Sequence, residues 1–250
     1  MSTPAQIAPL ELGGVDKIVF LTGAGISVAS GLGTYRGPGG LWEQPGAAEL
    51  ATARAMAERP LEQWRFFSAL RRQSFASEPN RAHQAIAALQ RRHQKDMEIV
   101  VITQNVDRLH QRAGSPGVIE LHGDIMRTRC SRDDCELEPF FDPAPHLERV
   151  PECRHCGAPL RPDLVLFGEP IPVRAERSAK QALRGCQLFL AVGTSGTVTP
   201  ASNFVRSAEY EGAHTIVVNL EPMRPSNPYF KQELLGPAEE VLPRLLAGAG

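Results

Sequence analysis

Four of the five cysteines in this 250-residue chain fall in two close pairs, Cys130/Cys135 and Cys153/Cys156. Two short-spaced thiolate pairs are how a chain builds a closed tetrahedral zinc site. With sulfur at all four positions no place remains for a reactive water, so the metal is structural. The rival reading of paired cysteines is disulfides, which a reducing compartment disfavours. The odd cysteine, Cys186, precedes an apolar run and reads as a small buried residue. Just upstream of the first pair, His122 ends the run Val118-Ile119-Glu120-Leu121 and is followed by Gly123. A histidine at a strand end can act as a general base near neutral pH. His83, His93, His110, His146 and His214 receive no functional assignment. His155 lies inside the second cysteine pair and reads as solvent-facing.

Further polar clusters carry weaker signals singly. Gly23-Ala24-Gly25-Ile26-Ser27 follows an apolar run and reads as the opening of a helix. Glycines there let the backbone approach a pyrophosphate. Val28 stands where the dehydrogenase fingerprint wants a third glycine, so the segment is a dinucleotide loop of another kind or a tight turn. The glycine-rich stretch from Gly31 to Trp42 reads as a loop that closes over a ligand, with Arg36 for phosphate and Tyr35 for a ribose or base, or as a surface loop with a packed aromatic. Gln104-Asn105-Val106-Asp107 offers amide and carboxylate groups at a strand end, or Asn105 simply caps a helix. Gly193-Thr194-Ser195 and Asn219-Leu220-Glu221 end two more apolar runs.

Those runs are the elements that must position the chemistry. Lys17 to Thr22, Glu98 to Thr103, Gly117 to Leu121, Gln187 to Val192 and His214 to Asn219 are apolar without alternation, the pattern of strands covered on both faces. Helical spacing lies between them, over Arg81 to His93, Ala175 to Arg184 and Ala201 to Glu209. Strands alternating with helices predict an α/β fold, a Rossmann-like doubly wound parallel sheet. Ligands in such sheets bind beyond the carboxyl ends of the strands, so five polar clusters converge on one rim. Two segments break the alternation. Ala47 to Phe75 reads as two helical patterns divided at Arg59-Pro60, and Cys130 to Pro162 as a zinc module. The predicted organisation is one domain over 1–250, with a core of 1–37, 81–126 and 163–250, a helical insert at 38–80 and a zinc module at 127–162. A net charge of -1 gives no basic face for nucleic acid. No basic start with an apolar stretch marks a secretory signal, and no run is long enough to span a bilayer, so the expectation is a cytoplasmic protein. A monomer is the default.

Taken in this order, the motifs resemble those of the sirtuins, NAD-dependent protein lysine deacylases, in their compact bacterial form. The resemblance runs from about Lys17 to about Ala238 and includes Tyr35-Arg36, Leu121-His122-Gly123-Asp124, the four cysteines and Phe167-Gly168-Glu169. It implies NAD as co-substrate, bound in a cleft between core and modules, and one structural zinc in the small module. It implies that Gly23, Ala24, Gly25, Ile26, Ser27, Tyr35, Arg36, Trp42, Gly193, Thr194 and Ser195 surround the diphosphate and riboses. Asn219, Leu220, Glu221 and Ala238 would then lie by the adenosine. Gln104, Asn105, Val106 and Asp107 would lie by the nicotinamide and its ribose. His122 is the implied base, deprotonating a ribose hydroxyl after the acyl oxygen has displaced nicotinamide. Acyl-ADP-ribose and free lysine are the products. Val165, Leu166, Phe167, Gly168 and Glu169 are implied to hold acyl-lysine, with strand addition to Leu166–Glu169.

One departure bears on substrate. Arg71-Arg72-Gln73 is similar to the subgroup that removes acidic acyl groups, but that subgroup's tyrosine and arginine align with Phe67 and Leu70 here. Arg71 is one residue off and points about 100° away on a helix. The expected substrate is a neutral acyl group, acetyl or longer. Gly33 replaces a proline common in relatives and is expected to loosen the cofactor loop. Mono-ADP-ribosyl transfer and non-catalytic NAD sensing are the alternatives.

Overall fold

The computed structural model describes residues 7–37 and 39–248. The parts of the expected module boundaries that fall on residues 1–6, 38 and 249–250 lie outside them. The strands β1 (Lys17–Thr22), β2 (Glu98–Thr103), β3 (Ile119–Glu120), β7 (Leu188–Val192), β8 (His214–Asn219) and β9 (Gln232–Leu235) form one sheet. Its order is β3-β2-β1-β7-β8-β9 and every pairing is parallel. Successive side chains of a strand point to opposite faces. In β1, Ile18 and Phe20 therefore join one apolar cluster while Val19 and Leu21 join another. Residues of α4 (Arg81–Arg92) and α8 (Ala238–Leu245) complete the first cluster; residues of α6 (Val173–Leu183) and α7 (Phe204–Tyr210) complete the second. Helix α4 starts where it does because the Asn80 side chain accepts from the Ala82 N–H. It buries Ala82, Ile86 and Leu89, which share one helical face. Each such buried Ile, Leu or Phe contributes about 1.5–3 kcal/mol.

The core differs from the sequence expectation at its edges. Strand β9 carries no apolar run because its residues are largely exposed. Strand β3 is only two residues long. The segment after β1 is a 3-10 helix, Ala24–Ser30. Sheet order reverses at β1, which lies between β2 and β7. That is the switch point at which doubly wound sheets bind ligands.

A second, three-stranded antiparallel sheet holds β4 (Gly123–Cys130) between β5 (Phe140–Phe141) and β6 (Leu160–Leu164). Strand β4 leaves the core immediately after His122, and Gly123 pairs with Leu164 where β6 returns. A helical group, α1 (Ala47–Leu50), α2 (Ala53–Glu58) and α3 (Pro60–Ala76), packs against it. Three helices stand where two were expected. The chain breaks at Ala51-Thr52, where the Thr52 hydroxyl caps α2 and the backbone bridges to Phe167. The short α5 (Leu109–Arg112) follows β2. Among the described residues, no helix is long and apolar enough to cross a membrane.

Candidate active site

A cavity of about 1120 Å³ opens at the carboxyl edge of the parallel sheet. Pockets of roughly 300–1,000 Å³ enclose one drug-sized ligand, so this one has room for two co-substrates. The turns after β1 and β7 meet at its floor. Gly23 and Gly25 donate to the carbonyls of Val192 and Gly193. A Cβ on Gly23 would lie 2.7 Å from the Gly193 oxygen, and one on Gly25 would lie 2.6 Å from the Gly193 Cα. The glycines thus first let two turns interlock. Thr194 is then held twice by Asn219, whose Oδ1 accepts from its N–H at 3.1 Å and whose Nδ2 donates to its carbonyl at 3.1 Å. The Gln104 amide donates to the Thr194 hydroxyl at 3.0 Å. Three strand ends are knitted into one rigid wall.

His122 projects from the start of the excursion to the small sheet and lines the cavity. Its Nδ1 lies 2.9 Å from the Gln104 carbonyl. A carbonyl only accepts, so Nδ1 carries the proton and Nε2 keeps its lone pair. Burial pushes the imidazole pKa below its usual value, against the opposing pull of that hydrogen bond. At neutral pH it is a neutral base. The His122 carbonyl accepts from the Val165 N–H at 3.0 Å, tying it to the opposite wall.

Asn105 is not a helix cap. It is buried, with Nδ2 donating to the Gly23 carbonyl at 3.1 Å and the Ser27 hydroxyl at 3.2 Å. Its Oδ1 has no partner. An unfilled buried acceptor at the wall fits a ligand carboxamide. Asp107 accepts from the Ser27 hydroxyl at 2.7 Å and the Leu109 N–H at 2.9 Å, and burial raises its pKa. Ser27 and Asp107 do not line the main cavity. They line an adjoining chamber of about 130 Å³ that shares Ala24, Tyr35, Asn105 and Val106 with it. Ile26 lines neither, because its side chain is buried in the core cluster under the sheet. The other proposed cofactor residues do line the main cavity: Gly23, Ala24, Gly25, Tyr35, Arg36, Trp42, Gln104, Asn105, Val106, Gly193 to Ser195, Asn219 to Glu221 and Ala238. Tyr35 stacks on Trp42 with centroids 5.2 Å apart, and Trp42 meets the Phe167 ring edge-on.

The far end is apolar. Phe67, Leu70, Ile125, Leu164 and Leu166 pack in one cluster and line the cavity, as do Val165, Phe167, Gly168 and Glu169. Arg71 is buried and turned away. It donates to the carbonyls of Ile125 at 2.8 Å and Ala144 at 3.0 Å, and pairs with Asp142 at 3.5 Å. The edge proposed for strand addition is largely filled from within. The Leu166 N–H donates to the Glu169 carboxylate and its carbonyl accepts from the Glu169 N–H. The Phe167 N–H donates to Ala51 and its carbonyl accepts from Ala53. The backbone groups of Leu166 and Phe167 are thus already paired within the chain. Ile125, Leu164 and Arg161 were missed in the sequence. Only the first two had a signal, adjacency to His122 and to the Val165–Glu169 segment.

The four cysteines lie together away from the cavity. Their sulfurs all fall within 4.8 Å of one another, with pairs at 3.5 Å (Cys130–Cys156) and 3.6 Å (Cys135–Cys153). Four thiolates about 2.3 Å from a tetrahedral zinc would sit about 3.8 Å apart, so the donor set and spacing fit that ion. Cys186 is buried apart from them, its thiol donating to the Leu188 carbonyl.

Residues 23–200 match the model of the Sir2 family. An NAD-dependent protein deacylase of Pyrobaculum aerophilum is 46% identical over 230 residues, covering 91% of this chain and 89% of that protein. Among solved structures, a Sir2 homologue in complex with NAD superposes with a TM-score of 0.85 at 34% identity, covering 94% of this chain and 90% of its own. A triple mutant of a Sir2 homologue in complex with 2'-O-acetyl ADP ribose gives 0.85 at 34% identity, covering 94% of this chain and 92% of its own.

Proposed function

The chain belongs to the Sir2 family and is an NAD-dependent protein deacylase; on that premise we propose that it removes neutral acyl groups from lysine, with His122 as the general base. Bound NAD supplies an electrophilic anomeric carbon, a nicotinamide leaving group and the ribose hydroxyls. The chain's own residues do the rest. In the interlocked turns the amides of Gly23, Gly25, Gly193 and Thr194 are bonded within the chain, which leaves those of Ala24 and Ser195, both lining the cavity, for the diphosphate. The unpartnered Asn105 Oδ1 receives the carboxamide, with Ser27 and Asp107 forming the chamber behind it. The His122 Nε2 lone pair takes a hydroxyl proton, and the Gln104 carbonyl stabilises the imidazolium that forms.

The observation that carries the acyl preference is the fate of Arg71. Its guanidinium is buried among backbone carbonyls, Thr128 and Asp142, so Arg71 supplies no cation to the end walled by Phe67 and Leu70. Burying an acyl carboxylate there without a partner is costly. A single lysine peptide carrying acetyl, butyryl or succinyl groups, incubated with and without NAD, tests this. NAD-dependent loss of acetyl and butyryl is expected, and a preference for succinyl sinks the acyl assignment. The protein target is an acylated lysine in a polypeptide, and we place the chain in the cytoplasm as a monomer.

A further inference from the structure

The turn at Leu166–Glu169 walls the acyl end and is fastened from three sides. The Glu169 N–H closes onto the Leu166 carbonyl at 3.0 Å, and Gly168 takes φ +91. That is a type II turn, which needs glycine at its third position. Phe167, at the second, is 42% exposed and faces the cavity. From the helical group, Ala51 and Ala53 grip the Phe167 backbone. From the core, the His122 carbonyl grips Val165. From the small sheet comes Arg161 on β6, whose guanidinium is nearly wholly buried. It meets both Glu169 oxygens, with Nη2 2.9 Å from Oε2, and Nη2 also donates to the Leu164 carbonyl. The same Oε2 accepts from the Leu166 N–H at 2.9 Å. Burial is the largest single influence and would raise the Glu169 pKa, but the Arg161 hydrogen bond, the Leu166 N–H and the charges of Arg161 and Arg129 together outweigh it and hold the carboxyl below its usual value.

We propose that the Arg161–Glu169 pair is a positioning brace for the known reaction: it holds the 165–169 turn so that the acyl-lysine wall stays in register with His122, and the Glu169 carboxylate makes no substrate contact. A bidentate guanidinium–carboxylate pair fixes orientation as well as distance. The same carboxylate oxygen that is locked to Arg161 also pins the first N–H of the turn. The turn's position therefore follows Arg161, and Val165 passes that position to the base. Displacements of about 1 Å at such walls cost large factors in rate. The inference rests on the deacylase reading.

The test compares Glu169→Gln, Glu169→Met and the double variant Arg161→Met/Glu169→Met with the parent, all zinc-loaded. Melting temperature, KM for NAD, and KM and direct binding of a fluorescent acetyl-lysine peptide are measured. Glu169→Met leaves a buried guanidinium unpaired and lowers the melting temperature, whereas removing both charges restores it. If the pair is a brace, KM and Kd for the peptide rise about tenfold in Glu169→Gln and stay raised in the restabilised double variant, with KM for NAD within about twofold. A double variant that recovers peptide affinity with its stability shows a merely structural pair and overturns the proposal, as does normal peptide affinity in Glu169→Gln. A parent chain that binds no acyl-lysine peptide overturns the deacylase reading itself, and the brace with it.

Discussion

At its cofactor end the cavity is walled by turns leaving neighbouring strands of one sheet; at its acyl end it is walled by α3, β4 and the continuous segment of β6 and the 165–169 turn, three pieces far apart in sequence. The first end is made of local backbone, Gly23–Gly25 laid against Gly193 and knitted by Thr194, Gln104 and Asn219. The second is made of side chains brought together by tertiary packing, Phe67 beside Ile125 and Leu166. His122 stands at the junction, held by a core carbonyl on one side and holding Val165 on the other. On the proposed function, the wall of backbone turns would take the cofactor and the wall of side chains would choose the acyl group.

The largest expected effect comes from removing the metal that underlies the acyl end alone. Structural zinc contributes on the order of 10 kcal/mol of apparent binding free energy in small modules. Cys130 ends β4 and Cys153 pairs through its N–H with Ala158 just before β6, so the zinc site closes the sheet that carries Ile125, Arg161 and Leu164. Cys153→Ala is expected to lose its zinc by metal analysis and its acyl-peptide binding, while calorimetry still finds ADP-ribose bound. Loss of both ligands together would show that the two ends do not fold separately.

Next in size is the junction. A positioned general base is worth about 10²–10⁴ in rate. His122→Ala is expected to lower kcat by that range with the ADP-ribose dissociation constant unchanged. Because burial lowers the His122 pKa, the pH at which the parent chain falls to half its plateau rate should lie below 6.5. A half-maximal rate at or above that pH would mean another group limits turnover.

This contrast also explains what the sequence disclosed. The parallel sheet was legible because its inner strands β1, β7 and β8 are buried on both faces along most of their length and so read as near-continuous apolar runs. Strand β9, exposed along most of its length, has no such signature. The cofactor end was legible because Gly23, Asn105, His122 and Gly193 each sit at the end of a run, and the sheet alone aligns them. The zinc cluster was legible because its ligands are close pairs. The acyl end was not legible beyond the family resemblance. Nothing local tells that Arg71 turns to Asp142 instead of the cavity, or that Arg161 meets Glu169. Both depend on how the small sheet packs. Ile26 and Ser27 show the converse limit, since a motif names consecutive residues but a 3-10 turn presents only some of them to a ligand.

A third, smaller effect probes the cofactor end from beneath. His83 is fully buried with neither ring nitrogen partnered, edge-on to His110 at 4.8 Å. His110 Nε2 lies 2.9 Å from the Thr22 hydroxyl, which contacts that of Thr103, the acceptor for the Asn105 N–H. Burial pushes the His83 pKa from 6.5 down to about 4. A base depressed in the folded state is protonated more readily when unfolded, so its stabilisation is present above pH 6.5 and is lost as pH falls towards 4. At 1.36 kcal/mol per unit that is about 3 kcal/mol. Urea midpoints between pH 7 and pH 4 should fall accordingly, and His83→Gln should flatten the fall. An equally steep fall in that variant would assign the acid sensitivity elsewhere.

The smallest effect is a change of preference at the acyl end. Phe67 and Leu70 stand three apart on α3, on one face, and both line the cavity. Leu70→Arg would carry a guanidinium to that wall while Arg71 remains tied to Asp142. Its gain is a charge-assisted pair with an acyl carboxylate, about 1.5–3 kcal/mol, reduced by desolvation of both groups. A tenfold rise in succinyl removal relative to acetyl corresponds to about 1.4 kcal/mol and is the expected outcome. Adding Phe67→Tyr supplies a hydroxyl to the same carboxylate and should raise it further. Leu70 also borders the chamber behind Asn105, whereas Phe67 lines only the main cavity, so KM for NAD should not move when Phe67→Tyr is added. If it does, the two walls are coupled through Trp42, whose ring touches both Tyr35 and Phe167, and acyl choice is not independent of the cofactor loop.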